Sequence, residues 1–536
     1  MELTNKGIEK SSDWKNAGYQ LPIFHRQEMI QRTKKNPRWV HFGAGNIFRA
    51  FQARAVQRLL NENRIDTGLI VAEGFDYEII EKLNRRSDDL TILITLKADG
   101  TMEKTVIASI AESLRLDSDN VTELERMKEI FGNPSLQMAS FTITEKGYSL
   151  VTADGDLLPS VASDFTTGPK RPASYMGKVV ALLYQRYQKG AMPIAMVSMD
   201  NCSHNGDKLK EAVTGFAKAW VKHGLVEAGF LTYVEDSEDV SFPWSMIDKI
   251  TPRPDNQVKD ILINDGVQGM EPIITSKNTY ASAFVNAEEC EYLVIEDSFP
   301  NGHPPLEEVG IILTDRDTVD KVEKMKVCTC LNPLHTALAI FGCILGYDLI
   351  SEEMKDVELK GLVERIGYQE GLPVVVNPEI IEPRKFLDEV LTLRIPNPFM
   401  PDTPQRIATD TSQKLAIRFG ETIKAYQKSD CLKVADLQMI PLVFAGWLRY
   451  LMAVDDKGQA FELSPDPMLD MLCPSLQKIK IGTNQEVEAI VRPILKNTQI
   501  FGVDLYKVGL ADTVLRYFTE MISGKGMVRA VLKKYV

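Results

Sequence analysis

The chain has 536 residues and a net charge of −12, from 62 lysines and arginines against 74 aspartates and glutamates. This length predicts two or three domains, and the acidic balance without a basic tail excludes nucleic acid and anionic membranes as expected partners. The apolar run 336–345 is too short to span a bilayer and the first residues lack the apolar core of a signal peptide, so we expect a cytoplasmic protein, either a monomer or a homodimer.

The first ordered pattern is a strand, a glycine turn and a helix. Residues 39–42 form an apolar strand signal, Gly43 and Gly45 follow, and residues 50–61 carry apolar side chains at helical spacing. A second strand, 68–72, ends at Glu73. Strand, helix and strand in this order predict a βαβ unit of a nucleotide-binding sheet.

Further strands extend this sheet. Residues 90–96 and 104–110 predict a hairpin inserted after the second strand. Buried strands are expected at 138–143 and 194–199, with the amphipathic segment 174–187 between them. The alternation predicts an α/β fold with a Rossmann-type, doubly wound sheet.

The second half of the chain has a helical pattern. We place the boundary near residue 297, which gives a domain at 1–297 that contains the nucleotide-binding sheet and a mainly α-helical domain at 298–536. The segments with helical periodicity are 318–325, 334–345, 385–393, 411–427 and 439–453.

The glycine turn is the predicted cofactor loop. Gly43 and Gly45 permit a tight turn and a close approach of the backbone to a pyrophosphate, and the next helix offers its positive N-terminus. Phe48 stands where the usual fingerprint has a third glycine, and a plain strand-to-helix turn is the alternative. The residues expected to contact the cofactor here are Gly43, Gly45, Asn46, Ile47, Phe48 and Arg49.

Glu73 is expected to select the cofactor. A carboxylate at the end of the second strand accepts hydrogen bonds from an adenosine ribose and repels a 2′-phosphate. This favours NAD over NADP. Asp76 is a rival for the same role. The alternative for Glu73 is an ordinary solvated acid at a strand end.

A third segment, residues 326–335, predicts proton-transfer chemistry. Lys326, Asn332 and His335 lie close together, and Asn332 followed by Pro333 is typical of a helix N-cap and first turn. Such a cluster can protonate an oxygen and stabilise its charge without a metal. Lys324 is the rival base. The scattered cysteines and histidines also predict no metal site.

Several segments, taken together, resemble the polyol-specific long-chain dehydrogenase/reductase family, whose members include mannitol dehydrogenases and reductases of fructuronate and tagaturonate. They occur in the family's order over most of the chain. The segments are 42–49 (FGAGNIFR), 142–148 (TITEKGY), 200–206 (DNCSHNG), 245–252 (SMIDKITP), 326–335 (KVCTCLNPLH) and 406–414 (RIATDTSQK).

The resemblance implies dinucleotide binding by residues 1–297, substrate binding and catalysis by residues 298–536, and roles for individual residues. Lys326 falls on the catalytic lysine, Asn201 and Asn332 on the asparagines that hold the reacting oxygen, and His335 on a residue that orients or binds substrate. The other implied site residues are Asp248, Arg406 and Lys414 towards the substrate, with Thr144 and Glu145 lining the nicotinamide pocket.

The chain departs from the family pattern at two places. Family members usually have Val-Asp-Arg where this chain has Ile247, Asp248 and Lys249, which replaces a two-pronged guanidinium by a point charge. The separation between Lys326 and Asn332 is one residue longer than the family's usual five. A π-bulge before Asn332, or a helix that starts afresh at Pro333, would accommodate the extra residue.

The resemblance implies an NAD-dependent oxidoreductase without a metal. Its first expected reaction interconverts a hexuronate keto acid such as D-fructuronate and an aldonate such as D-mannonate. A mannitol or other polyol 2-dehydrogenase and a tagaturonate/altronate oxidoreductase are the alternatives. Arg406, Lys414 and Lys249 are candidate partners for a substrate carboxylate. The non-enzymatic alternative is a dinucleotide sensor, which needs the glycine loop but not the lysine and asparagines.

Overall fold

A computed structural model of the chain describes residues 1–482 and 487–536. The chain divides into two compact units. The first contains Met1–Leu96 and Thr101–Asp320, and the second contains Lys97–Gly100 and Lys321–Val536. The first unit includes residues 298–320, which follow the boundary proposed from sequence, and Leu306 lies fully buried in its core.

The strands lie in the first unit. In chain order they are β1 (Tyr19–Gln20), β2 (Trp39–Phe42), β3 (Leu69–Glu73), β4 (Thr91–Leu96), β5 (Met102–Ile107), β6 (Ile110–Arg115), β7 (Met138–Phe141), β8 (Ile194–Ser198), β9 (Val240–Ser241), β10 (Ser245–Asp248), β11 (Ile273–Ile274), β12 (Tyr280–Ala281), β13 (Phe284–Glu288), β14 (Tyr292–Glu296) and β15 (Ile312–Thr314).

The central sheet has six parallel strands in the order β6-β3-β2-β7-β8-β9. Every residue of β2, β3, β7 and β8 is buried, as expected when helices cover both faces. The order reverses between β2 and β7, and ligands of such sheets bind at the carboxyl ends of the strands beside this switch point. The predicted Rossmann-type sheet is confirmed.

The predicted hairpin is present, but its end was wrong. β4 and β5 pair antiparallel, and the chain continues almost at once as β6. This strand is an edge strand of the central sheet and pairs with β3. Because only Ala108 and Ser109 separate β5 from β6, the sequence contains no turn signal at that point. The hairpin belongs to a four-stranded sheet, β1-β5-β4-β13, and β10-β14-β15 and β11-β12 form two small sheets.

Helices of the first unit cover the sheets. Ser174 caps the helix Tyr175–Gln188 by accepting from the Gly177 N–H over 3.2 Å, which confirms the amphipathic segment. The α-helices are Asn5–Ile8, Ser11–Asn16, Arg26–Lys35, Ala53–Asn61, Tyr77–Ile79, Val121–Phe131, Glu145–Tyr148, Pro159–Thr167, Tyr175–Gln188, Asn205–Lys222, Ala228–Glu235 and Asn256–Asn264, with π turns Phe48–Gln52 and Ile80–Asn84 and 3₁₀ turns Arg85–Ser87 and Leu306–Val309.

The second unit is helical in its described part, as predicted. The helix Arg316–Met325 leads into it from the first unit. Its own α-helices are Asn332–Leu345, Ile350–Glu353, Val357–Arg365, Pro383–Glu389, Pro404–Ile407, Thr411–Leu415, Glu421–Lys428, Met439–Tyr450, Leu469–Leu476, Glu488–Leu495, Thr498–Phe501, Ala511–Ile522 and Met527–Tyr535, with π turns Lys326–Cys330, Ile366–Gly371, Val390–Arg394 and Ala416–Gly420 and 3₁₀ turns Leu372–Val374 and Val434–Asp436.

The helix Met439–Tyr450 forms the centre of this unit. All of its residues are buried, and it packs against Asn332–Leu345 and Ala511–Ile522. A Cβ at Gly446 would lie 2.6 Å from the Phe341 ring, so the two helices approach closely there. This packing fixes the helix whose first turn carries two of the predicted catalytic residues, Asn332 and His335.

One run of helical residues, Arg316–Leu345, is long and apolar enough by composition to cross a membrane. Its apolar window is 78% buried within the protein. Burial of this extent is typical of a core helix of a soluble protein.

Candidate active site

The glycine loop follows β2 at the switch point of the sheet. Gly43 has φ +107°, and a Cβ there would lie 2.4 Å from the carbonyl oxygen of Thr142, so only glycine fits. A Cβ at Gly45 would meet no atom within 4 Å. The first glycine therefore builds the turn, whereas the second leaves open space at the start of the helix, as a bound pyrophosphate requires.

The residues after Gly45 divide into half-buried and buried ones. Asn46 and Ile47 are half-buried at the helix start. The Phe48 ring is fully buried and stacks on His41, with 4.3 Å between ring centroids. The Arg49 guanidinium donates to the Ser282 carbonyl over 2.7 Å, and burial lowers its pKa to about 10. The side chains of Phe48 and Arg49 thus support the loop from beneath.

Glu73 holds the loop from the second strand. Its Oε2 accepts from the Ala44 N–H over 2.9 Å, and its Oε1 accepts from the N–H groups of Phe75 and Asp76 over 2.8 and 3.1 Å. These bonds use most of the acceptor positions of the carboxylate. The rival, Asp76, is 2% exposed and accepts from the Thr275 hydroxyl over 2.5 Å.

A second loop follows β7 at the same edge. Thr144 is exposed with φ +65°, and exposed Glu145 forms an ion pair with Lys208. Asp200, after β8, accepts from the backbone N–H of Ile143 and Thr144 over 3.0 and 2.9 Å. Asp200 therefore ties the Thr144 loop to the turn that carries Asn201.

Asp200 is half-buried, and this burial raises its pKa although the hydrogen bonds from the Tyr148 hydroxyl and the backbone oppose the shift. The Tyr148 hydroxyl donates to it over 2.6 Å. Asp200 is the first residue of the segment 200–206 that carries the family resemblance, but no sequence signal indicated that its side chain would bind the Thr144 loop. Asn201 beside it is exposed at the surface of the first unit.

Asn205 joins this turn to the substrate-side strand. Its amide donates to the carbonyl oxygens of Asp200 and Ser245, over 3.0 Å each. Ser245 begins β10, whose last residue is Asp248, a buried acid. The buried amide of Asn205 thus connects the turn that carries Asn201 to the strand that carries Asp248.

Lys249 is not available to a substrate carboxylate. Its ammonium lies 2.9 Å from the Glu291 carboxylate and donates to the Glu288 carbonyl over 2.9 Å. Burial lowers its pKa, and the charge of Glu291 opposes that shift. The lysine that replaces the family's arginine is therefore a structural ion pair within the first unit.

In the second unit, Lys326 begins a π turn. The Leu331 N–H donates to the Lys326 carbonyl over 3.1 Å, and Lys326 is 4% exposed. Leu331 leaves helical geometry, with φ −129° and ψ −62°, and a new helix starts at Asn332. The π turn expected for the extra residue is present, and the new helix starts at Asn332, one residue before the expected Pro333.

The predicted cap at Asn332 was wrong. Leu331 is the N-cap residue, Asn332 is the first residue of the helix, and its side chain makes no capping bond. The His335 N–H donates to the Leu331 carbonyl over 3.2 Å, because the π turn delays the helix start by one residue. The half-buried Asn332 amide is thereby left for another acceptor.

His335 and Arg406 share Asp402. The His335 Nε2 lies 3.9 Å from one carboxylate oxygen of Asp402, and the Arg406 guanidinium pairs with the other. Asp402 is 5% exposed, whereas the Arg406 side chain is 61% exposed. Sequence reasoning missed Asp402, which links two of the predicted substrate residues.

Lys414 is half-buried, and its ammonium donates to the Thr409 carbonyl. Burial lowers its pKa, and the positive charge of Arg418 lowers it further. Among residues 1–482 and 487–536, no three His, Cys, Asp or Glu side chains lie close enough to hold a metal ion. Metal-free chemistry stays a prediction.

Comparisons with known proteins identify the family of the chain. Residues 37–308 match the family model of the mannitol dehydrogenase Rossmann domain, and residues 318–521 match that of the mannitol dehydrogenase C-terminal domain. The chain belongs to the mannitol dehydrogenase family. It is therefore an oxidoreductase of this family, and the resemblance seen in its motifs is confirmed.

One relative within the mannitol dehydrogenase family is 52% identical, a D-mannonate oxidoreductase of Thermotoga maritima, with 100% of this chain and 99% of the relative covered. A D-sorbitol dehydrogenase in substrate-free form has a TM-score of 0.79 at 25% identity, covering 96% of this chain and 98% of its own. A mannitol 2-dehydrogenase of Pseudomonas fluorescens has the same fold, with a TM-score of 0.69 at 24% identity over 100% and 99% of the two chains.

Proposed function

We propose that the chain is a cytoplasmic, NAD-dependent reductase that interconverts a hexuronate keto acid, such as D-fructuronate, and its aldonate, such as D-mannonate. The observation that carries the proposal is the 52% identity, over the whole chain, to a D-mannonate oxidoreductase. A reduction of this class adds hydride to a ketone carbon and a proton to its oxygen.

Several features of the first unit support NAD as the cofactor. Gly45 leaves open space at the carboxyl edge of the sheet, where a pyrophosphate binds in this fold. Glu73 brings a negative charge to the end of the second strand, which disfavours the 2′-phosphate of NADP. The mannitol 2-dehydrogenase with the same fold is a ternary complex with NAD and D-mannitol.

The bound nicotinamide supplies the hydride. The side chains then act on the ketone oxygen. Asn201 and Asn332 donate N–H hydrogen bonds to the oxygen as its negative charge develops, and Lys326 delivers the proton. In the oxidative direction Lys326 accepts that proton. His335, held near Asp402, orients the substrate, and no step requires a metal.

The experiment that tests the proposal measures NADH oxidation with D-fructuronate, D-tagaturonate, D-fructose and D-fructose 6-phosphate in parallel. We expect the highest kcat/KM with D-fructuronate and a lower value with NADPH than with NADH. The highest value with tagaturonate or with a neutral sugar would replace the proposed substrate by one of the alternatives. NADH binding without oxidation in any reaction would favour a dinucleotide sensor.

A further inference from the structure

Arg418 is a half-buried cation without an acidic partner in the described part of the second unit. It lies in the π turn Ala416–Gly420, and its Nη1 donates to the Thr336 hydroxyl. Burial lowers its pKa to about 10, and no neighbouring carboxylate offsets this effect. Because a guanidinium has five N–H donors, this single bond leaves most of them for another acceptor.

Lys414 adds a second positive charge one helical turn earlier. Like charges at this spacing repel each other, and the charge of Arg418 contributes to the lowered pKa of Lys414. Asp410 and Asp466 act in the opposite direction. Asp466, however, already accepts from the Ser412 N–H and hydroxyl over 2.7 and 2.5 Å. Two carboxylates therefore offset the charge of Lys414 in part, whereas none offsets that of Arg418, and an anion would stabilise the Arg418 guanidinium.

The other predicted cations are already neutralised. Arg406 pairs with Asp402, and Lys249 pairs with Glu291. The guanidinium of Arg418 thus differs from both in having no carboxylate in contact within residues 1–482 and 487–536. Its planar fork also matches the two oxygens of a carboxylate better than an ammonium does.

Arg418 lies next to the predicted chemistry. Its π turn packs against the π turn that begins at Lys326 and against the helix that begins at Asn332. The Thr336 hydroxyl, which accepts from Arg418, donates to the Asn332 carbonyl over 3.0 Å. The guanidinium is thus linked through one hydroxyl to the backbone of Asn332, and Thr336 lies about one helical turn, roughly 5.4 Å, further along the helix.

This spacing fits a hexuronate. In D-fructuronate, C–C bonds of about 1.5 Å join the ketone carbon to the carboxylate carbon through three intervening carbons, and an extended chain of this length spans roughly 5 Å. A ketone oxygen held by Asn332 would bring the carboxylate near Arg418. A neutral polyol has a hydroxymethyl group at that position and leaves the cation unpaired.

We propose that Arg418, with Lys414 beside it, binds the substrate carboxylate and sets the preference for a sugar acid over a neutral sugar. The proposal rests on the hexuronate reductase function proposed above. Arg418 is a specificity residue and takes no part in proton transfer.

The test compares the wild type with Arg418→Met, Arg418→Lys and the control Arg516→Met, which removes an exposed arginine from the helix Ala511–Ile522. The kcat and KM for D-fructuronate and D-fructose are measured at saturating NADH, together with NADH affinity and thermal unfolding. For Arg418→Met we expect the KM for fructuronate to rise roughly 30- to 5,000-fold, the range for removing one partner of a buried charge pair.

In this variant kcat, NADH affinity and turnover of fructose should change by no more than about fivefold, because only carboxylate binding is lost. Arg418→Lys should fall between the wild type and Arg418→Met, and Arg516→Met should match the wild type. An unchanged KM for fructuronate, or equal losses with fructuronate and fructose in both Arg418 variants, would overturn this inference alone. A wild type that does not reduce fructuronate would overturn the proposed function and this inference with it.

Discussion

The backbone N–H of Leu331 donates to the carbonyl oxygen of Lys326 over 3.1 Å, which closes a π turn between the proposed base and Asn332. A π turn contains one residue more than an α turn. The longer separation of Lys326 and Asn332 is thereby absorbed in the turn. π turns of this kind are frequent at functional sites.

The first prediction removes the extra residue. Deletion of Cys328 from the π turn should leave an α turn with the family's usual spacing, so the flanking helices keep their register. We expect a soluble protein that unfolds within several degrees of the wild type and retains kcat/KM within about tenfold. Thermal unfolding followed by circular dichroism, and NADH oxidation with fructuronate, measure both quantities.

Deletion of Ile340 is the matched control. This residue lies within the uninterrupted helix Asn332–Leu345, where removal rotates all following side chains by about 100° and exposes the buried face. We expect an insoluble or unfolded protein. Equal damage from the Cys328 and Ile340 deletions would show that the π turn does not act as an inserted residue.

The second prediction separates the two glycines of the cofactor loop. Gly43→Ala should destabilise the first unit, because its φ is +107° and the new Cβ would lie 2.4 Å from the Thr142 carbonyl oxygen. Gly45→Ala places its Cβ in open space and should leave thermal unfolding unchanged, but weaken NADH binding by about tenfold or more. Calorimetry and NADH fluorescence titration distinguish these effects. NADH affinity unchanged in Gly45→Ala would remove the loop from the cofactor site.

The third prediction concerns acid stability. His41 is fully buried, with its ring nitrogens 2.6 Å from the Ser140 hydroxyl and 2.8 Å from that of Thr142, and burial lowers its pKa to about 3. The unfolded chain binds a proton on this ring below about pH 6.5, whereas the folded chain does so only near pH 3. The free energy of unfolding should therefore decrease as the pH is lowered from about 6.5 towards 3. This group contributes up to about 1.4 kcal/mol per pH unit to the decrease.

Urea unfolding at several pH values between 7 and 4 tests this effect in His41→Asn and in His223→Asn, whose histidine is exposed. Acidic groups contribute equally to all three proteins, so the difference in slope isolates the histidine. We expect a shallower pH dependence in His41→Asn only. The same slope in both variants would contradict a neutral buried ring at His41.

Local patterns predicted much of the first unit. The apolar strands, the glycine turn and the capped helix at Tyr175–Gln188 each carry their signal within a few residues. The edge strand β6 of the central sheet was missed because it follows the hairpin without a turn signal. Short strands such as β9 and β10 contain too few residues for a period of two to be visible.

The site was predictable only in part, because several of its residues act through distant partners. Asp402 looks like a loop acid until the structure places it between His335 and Arg406. Arg418 looks like a solvated helix charge until its bond to Thr336 is seen. The cap at Asn332 was wrong because the helix start depends on the backbone bond of the π turn, which side-chain identity does not reveal.

The most direct measurement of the central claim is the kcat for fructuronate reduction at saturating NADH in Lys326→Ala and Lys324→Ala. The two lysines are two residues apart, but Lys326 is 4% exposed at the π turn whereas Lys324 is exposed on the preceding helix. We predict that Lys326→Ala lowers kcat by about a hundred- to ten-thousandfold, with NADH affinity retained, and that Lys324→Ala remains within a few fold of the wild type. A Lys326→Ala enzyme within a few fold of the wild type would contradict the assignment of Lys326 as the acid and base.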